Sequence, residues 1–298
     1  MSQLATFYLA RINKFGRTST EEVLDAIRSP VVIKDGKFKW SIIDIEYNSV
    51  TNAHYIYGKM AKYWMETDVK TVNEAAKQTE NKNESNLIQT ESTFIILPEH
   101  AGIAFSAGSS GISKELFFEI FPKLINSVIQ QNEVFKGIEI EPISDTRTFH
   151  NKILEFTSIQ ELKAKVRPSN PQYSPLYEDL QKYLKERNSS NISIEESGDS
   201  GQGLLSKLQE SIKKVLGKRK LSPIPIADAA VIMAADGYGK AEVTGINNEQ
   251  PLTITTYSTI VSLRLSLSIL PANFFITIDR RFKLIKNQRN IEHGNDKK

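Results

Sequence analysis

The chain has 298 residues, of which 40% are apolar and 24% are charged, and it contains no cysteine. This composition supplies enough apolar material for a sizeable core, and it excludes wholesale disorder, disulfide bonds and any metal site or nucleophile built on cysteine. No segment approaches the ~18–20 uninterrupted apolar residues of a membrane span, because the best candidate, 260–278, contains Arg264, serines and Pro271. The chain starts with a predicted strand rather than a signal peptide, so we expect a cytoplasmic protein.

Strands are predicted over much of the first 100 residues. Ser19 and Glu22 form a capping-box pattern that predicts a short helix ending at Arg28. The polar segment 66–91, with three lysines and six acids, is interpreted as a long loop with a helical turn near 72–77. The predicted strands lie at 4–12, on both sides of Asp35-Gly36, at 53–64, and on both sides of the Pro98-Glu99-His100 turn.

A helix is predicted over residues 113–130, because its apolar residues recur at helical spacing, and strands are predicted at 138–143 and 159–166. Three prolines between residues 168 and 175 then mark the best linker in the chain. We therefore predict an α+β fold of mainly antiparallel sheets with flanking helices, in two subdomains. The first is an N-terminal α+β domain at 1–170, and the second is a C-terminal basic α+β domain at 171–298.

The second half alternates helices and strands. Helices are predicted at 176–187, over a basic segment starting at Leu204, and at 226–235, where Gly237 closes the helix. The remaining predicted strands lie at 192–194, 241–246, 252–257, 261–269 and 274–278, the last pairing back onto the strand before it.

Charge is distributed unevenly along the chain. The net charge is +3 overall, but residues 201–298 carry +7 and residues 1–200 carry −4. Such asymmetry indicates an anionic partner, either nucleic acid or a membrane surface.

The densest basic segment is the predicted helix and the loop after it, with six cations and one acid between residues 204 and 220. An apolar stripe on one side of this helix predicts that the cations point to solvent, where they could neutralise phosphates. A core-packed helix with an ordinary solvated face, or a helix lying on a membrane surface, are the alternatives. The candidate nucleic-acid contacts here are Lys207, Lys213, Lys214, Lys218, Arg219 and Lys220.

Two further basic clusters are candidates for the same role. Lys163, Lys165 and Arg167 alternate with apolar residues along a strand, so they share its solvent face and could follow a nucleic-acid backbone. The alternative is an edge strand that charge protects against aggregation. A third cluster lies beyond the last predicted strand and consists of Arg280, Arg281, Lys283, Lys286 and Arg289. Arg280 and Arg281 are its candidate nucleic-acid contacts.

No catalytic residue or cofactor site is predicted. The one enzymatic alternative is a Mg²⁺-dependent nuclease, in which Asp145 and Glu161 would hold the metal while Lys163 stabilises developing charge. A scaffold whose basic face binds only an acidic protein is a third possibility.

The middle of the chain resembles RexA-like phage-exclusion proteins. The similarity lies in the order of features: the strand Phe94-Ile95-Ile96-Leu97, a short turn, Gly102-Ile103-Ala104-Phe105, a Gly-rich turn, a helix and the strand at 138–143. The segments at 168–171 and 237–241 also resemble an uncharacterised bacterial family found beside defence genes. This resemblance implies a cytoplasmic DNA-binding sensor that forms a homodimer and acts through an effector protein partner, with a fold similar to the ring-forming recombination protein RdgC.

The leading hypothesis is therefore sequence-nonspecific DNA binding in a phage-defence or exclusion system.

Overall fold

The structure, a computed structural model, describes residues 4–50, 53–108, 111–130, 135–167, 177–199, 203–217 and 223–292, with side chains up to residue 288. The strands in these ranges are β1 (Leu4–Phe15), β2 (Ile33–Asp35), β3 (Phe38–Val50), β4 (Ala53–Trp64), β5 (Glu66–Asn73), β6 (Gln78–Ser85), β7 (Ile88–Leu97), β8 (Gly102–Ala107), β9 (Gly137–Pro142), β10 (Ser158–Val166), β11 (Ile192–Ser197), β12 (Gly239–Asn247), β13 (Gln250–Thr255) and β14 (Ser262–Ser266). The helices are α1 (Thr20–Arg28), α2 (Lys114–Ile129), α3 (Thr146–Leu154), α4 (Glu178–Glu186), α5 (Leu208–Leu216), α6 (Ile226–Met233) and α7 (Pro271–Glu292).

Eight strands form a large antiparallel sheet in the order β14-β1-β8-β7-β4-β3-β2, with β9 paired to the second half of β1. Side chains alternate between its two faces, and each face is apolar. One face packs on α1 and α2, where the rings of Phe105 and Phe117 stack at 3.9 Å. The other face packs on α7, through Phe274, Ile278 and Phe282.

Helix α1 forms where the capping box predicts it. The Ser19 hydroxyl accepts a hydrogen bond from the Glu22 amide at 3.1 Å, and the Glu22 carboxylate accepts one from the Ser19 amide at 2.7 Å. These bonds satisfy amide groups that the first turn of a helix cannot satisfy internally. The predicted helix is therefore confirmed. Its signal could be found in the sequence because the capping residues lie within four consecutive positions.

The second sheet has four antiparallel strands in the order β11-β10-β12-β13. One of its faces packs on α3, α4, α5 and α6 around a separate apolar cluster. Helix α6 continues into a π-helical turn, Ala234–Tyr238, in which Gly237 has φ 87° and ends the helical backbone. Glycine reaches this left-handed conformation without the penalty that other residues incur, so the predicted helix end is confirmed.

The prediction of a loop over 66–91 is wrong. Strands β5 and β6 form a two-stranded ribbon whose ladder pairs Glu66 with Ser85 and Asn73 with Gln78. Most of its side chains are polar, so no apolar alternation marked the strands. Backbone pairing between the strands creates this ribbon, which we call the β-arm.

The prediction of a strand at 274–278 is also wrong, since these residues lie in α7. Five residues are too few to distinguish an apolar period of 2 from one of 3.6. The buried series Phe274, Ile278, Phe282 has the helical spacing of four, and Pro271 occupies the first position of the helix, which proline favours. Strand β14 is correspondingly shorter than the predicted 261–269.

The α+β class with antiparallel sheets and flanking helices is confirmed. The division at residue 170 stays a prediction about independent folding, and the two sheets exchange elements across it. Strand β10 precedes this point and lies in the small sheet, whereas β14 follows it and lies in the large sheet. None of the helices in the described ranges combines the length and the apolar character needed to cross a bilayer.

Candidate nucleic-acid interface

Helix α5 carries the densest basic segment, and its inner side is fixed by packing. Leu208, Ile212 and Val215 are fully buried in the core of the small sheet. The helix predicted from Leu204 begins too early, because Leu205, which the prediction included in the apolar stripe, is fully exposed and lies before α5. The packing leaves the opposite side of α5 in solvent.

A carboxylate from another helix caps the start of α5. Asp228 of α6 is buried, and it accepts hydrogen bonds from the Ser206 hydroxyl at 2.7 Å and from the Lys207 amide at 3.1 Å. Burial raises the pKa of Asp228, and these two hydrogen bonds oppose that shift. The cap explains why the helix begins at Leu208, and no local sequence pattern predicts it, because the partner lies 21 residues away.

The cations of α5 differ in their surroundings. Lys207 and Lys213 are exposed, and neither makes an ion pair within the part of the chain that the structure describes. Lys214 is half-buried and pairs with Glu210 at 2.7 Å. Lys218, Arg219 and Lys220 lie outside the described residues.

The cations of β10 are engaged by carboxylates. Lys163 pairs with Glu161 at 3.0 Å and with Glu195 at 3.3 Å, and these partners raise the pKa of Lys163. Lys165 lies 3.9 Å from Glu139, and Arg167 donates a hydrogen bond to the same carboxylate at 3.2 Å. This face of the strand is therefore close to charge-balanced.

Strand β10 is also not an edge strand. It lies between β11 and β12 and is hydrogen-bonded to both. The interpretation of its charges as edge protection is therefore wrong.

Arg280 and Arg281 lie on α7 and belong to a different part of the molecule. Arg280 is exposed and Arg281 is partly buried, while the neighbouring Lys283 pairs with Asp279 at 2.7 Å. Helix α7 packs on the large sheet, and α5 packs on the small one.

The described cations of α5 and β10 do not lie on one face of the small sheet. The core side of β10 contacts the same apolar cluster as α5, so Lys163 and Lys165 point away from α5, on the opposite face of the small sheet. The α7 cluster lies on the other sheet. Among the residues that the structure describes, α5 therefore carries the exposed cations that belong to the densest basic segment.

The residues of the nuclease alternative are used otherwise. Asp145 caps α3, because its carboxylate accepts a hydrogen bond from the Thr148 amide at 3.0 Å. Glu161 is paired with Lys163. Within the described ranges, no three histidine or acidic side chains lie close enough to hold a metal ion.

The sequence analysis missed a cavity of about 360 Å³ at the end of the large sheet. Its walls include Arg11 and Lys14 of β1, His100 of the turn before β8, and Lys286 of α7. These residues come from three distant segments, so no local pattern could have predicted that they meet. Apart from Lys286 on α7, the cavity shares no lining residue with the three basic clusters described above.

Comparison with curated proteins gives no match. One family model matches residues 23–266, a range that begins in α1, ends with β14 and includes the whole small sheet. Because this range covers most of the chain, the protein belongs to the family described as "Domain of unknown function (DUF4747)".

Proposed function

We propose that this protein binds nucleic acid without base specificity, through phosphate contacts made by α5 and the segment after it. The observation that carries the proposal is the pair of exposed lysines, Lys207 and Lys213, on a helix whose other side is held in the core. A phosphate can approach these ammonium groups without breaking an ion pair to another described residue. Lys214 and the cations at 218–220 extend the same basic segment.

The chemistry of these side chains favours binding to the backbone. Lysine presents a compact point charge, which neutralises phosphate but does not read base edges with the fixed geometry that arginine offers. Binding would therefore depend on counterion release and weaken steeply with salt.

The other predicted contacts are not part of the proposed surface. A phosphate at Lys163, Lys165 or Arg167 would compete with carboxylates already within 4 Å of them. Arg280 and Arg281 could add contacts only to a nucleic acid that reaches a second helix, on the other sheet.

The proposal also includes a biological role for nucleic-acid binding. We propose that a homodimer binds nucleic acid in this way and signals to an effector protein in a phage-exclusion system, a role that the resemblance to RexA-like proteins implies.

A salt titration of duplex DNA binding, followed by fluorescence anisotropy, tests the proposal. We expect log affinity to fall linearly with log salt, and the Lys207→Gln/Lys213→Gln double variant to flatten the slope by about two. The Lys163→Gln/Lys165→Gln double variant is the matched control, because it removes two cations that are already ion-paired, and its slope should not change.

Two outcomes would contradict the proposal. One is absence of DNA binding at low salt, including the case in which the same lysines instead bind an acidic polypeptide, as a protein-only scaffold would. The other is a larger loss in the Lys163/Lys165 variant than in the Lys207/Lys213 variant.

A further inference from the structure

The cavity at the end of the large sheet forms because β8 begins only at Gly102 and leaves the last residues of β1 uncovered on that side. Gly102 at the start of β8 pairs with Arg11, and the next amide of β1, that of Ile12, donates to the Ala101 carbonyl at 2.7 Å. Beyond this point, none of the described strands pairs with β1 on that side. The Pro98–His100 turn, the first turns of α1 and the second half of α7 surround the space instead.

Three cations line this cavity, and one carboxylate opposes them. Arg11, Lys14 and Lys286 line it together with Glu99, so these four groups carry a net charge of +2, and the ring of His100, which also lines it, is hydrogen-bonded to Asp279. Neither Lys14 nor Lys286 has an ion-pair partner among the residues that the structure describes, and the Lys14 ammonium donates to the Thr20 hydroxyl at 2.7 Å. The cavity therefore attracts an anion.

The surrounding side chains are held in place before any ligand arrives. The Arg11 guanidinium lies 4.5 Å from the centre of the Tyr238 ring. His100 bonds to Asp279 at 2.8 Å and stacks on Phe282, with ring centres 5.3 Å apart. A Cβ on Gly102 would lie 2.4 Å from Cζ of Phe282, so any side chain at this position would displace that ring. Because these side chains are already ordered, less conformational entropy is lost when a ligand binds.

Asn13 gives a second, independent indication of a ligand. It lines the cavity, is 1% exposed, and donates from Nδ2 to the Gly237 carbonyl at 3.1 Å. Its Oδ1 is buried and has no hydrogen-bond partner among the described residues. A buried acceptor without a partner is unfavourable, so this site favours a molecule that brings a donor.

We propose that the cavity binds a small phosphate monoester that also carries hydroxyl groups, of the sugar-phosphate or nucleoside-monophosphate class. A phosphate monoester carries a charge of about −1.5 to −2 at pH 7, which matches the charge of the cavity. A hydroxyl group supplies the donor that Asn13 Oδ1 accepts. The volume of about 360 Å³ lies at the small end of the ~300–1,000 Å³ range of small-molecule sites.

Isothermal titration calorimetry on the full chain tests this assignment, with ribose 5-phosphate, AMP, inorganic phosphate and ribose as probes. We expect at least one of the two esters to bind at one site per chain, inorganic phosphate to bind at least about tenfold more weakly, and ribose not to bind. Lys14→Gln and Lys286→Gln should each weaken binding of the ester about tenfold. Both side chains reach solvent, and thermal melts will confirm that the variants fold.

Arg280→Gln is the matched control, because Arg280 lies on the same helix as Lys286 but does not line the cavity. The assignment is overturned if neither ester binds, if ribose binds as well as its phosphate, or if the Lys14→Gln/Lys286→Gln double variant retains full affinity. The same double variant should bind duplex DNA as the unmodified chain does. The assignment and the DNA-binding proposal can therefore fail separately.

Discussion

Glu141 lies on β9 directly across from Arg11 on β1, inside the large sheet. Its Oε2 atom is buried and has no hydrogen-bond partner in the described part of the chain. Burial, together with the nearby negative charge of Glu139, raises the pKa of Glu141 from 4.5 to about 7. The folded protein therefore binds a proton on this carboxyl at pH values where the unfolded chain has released it.

This residue predicts a pH dependence of stability. Because the folded pKa is raised, the contribution of Glu141 is fully present below pH 4.5 and is lost as the pH rises to about 7. Glu141→Gln should remove this loss and make the variant more stable than the unmodified chain above pH 7. Urea unfolding midpoints measured from pH 4.5 to above pH 7 check the prediction. It is refuted if the midpoint changes with pH by the same amount in both proteins.

Glu22 provides an internal contrast at lower pH. Its hydrogen bonds to Ser19 and to Lys136 lower its pKa to about 2, so its contribution is present above pH 4.5 and is lost as the pH falls toward 2. The two carboxyls act in separate pH windows, so a change confined to the upper window belongs to Glu141 and not to the cap.

Glu22 and Asp228 also show which helix-capping interactions can be predicted from a sequence. The capping box of Glu22 lies within four residues, and the sequence predicts it. The cap that Asp228 places on α5 joins residues 21 apart, and the pair of His100 and Asp279 joins residues 179 apart. Contacts of this kind depend on how the elements pack, so local patterns carry no signal for them.

Among the elements, the β-arm depends least on the rest of the molecule. Strands β5 and β6 pair only with each other within the described ranges, and the arm extends from the ends of β4 and β7. Residues 66–85 contain five acids and three lysines, which does not favour contact with phosphate. The arm therefore contributes little to the core and does not extend the basic surface of α5.

Shortening the arm should leave the fold intact. Replacing residues 68–83 with Asn-Gly joins Thr67 to Glu84, a facing pair, through a two-residue turn that suits a hairpin. We expect the free energy of unfolding to change by less than ~1 kcal/mol, because the removed residues pair only with one another. Urea unfolding measures this change, with the full-length arm as reference. A loss above ~3 kcal/mol would mean that the arm packs on the core.

Elements with a clear period are predictable, and those without one are not. Helix α2 and strand β10 follow their apolar spacing, and the sequence locates both within two residues of their observed ends. The β-arm has polar residues on both sides, and residues 274–278 are too few to show a helical period. The same limit applies to the candidate site, where charge density predicts α5 but cannot tell that Lys163 is ion-paired.

At the scale of the whole molecule, the chain returns to the large sheet after it has built the small one. Strand β14 pairs with β1 along residues 4–8, and α7 then covers the face that contains Phe7, Leu9 and Ile95. Glu139 of β9 bridges the sheets through Arg167 of β10. The segment from β14 through α7 is therefore part of the N-terminal architecture, which bears directly on the predicted boundary at residue 170.

A fragment of residues 1–170 should not fold by itself. It lacks β14 and α7, so one edge of β1 and the apolar face under α7 would be exposed to water, and burying such surface is the main term that stabilises a domain. We expect this fragment to aggregate or to bind a hydrophobic dye, and to lack a cooperative thermal transition. Joining residues 259–298 to its end through a flexible linker restores both missing elements and should restore the transition. If the fragment 1–170 shows a cooperative transition without residues 259–298, it is an independent domain. In that case β14 and α7 only cover a sheet that is already stable.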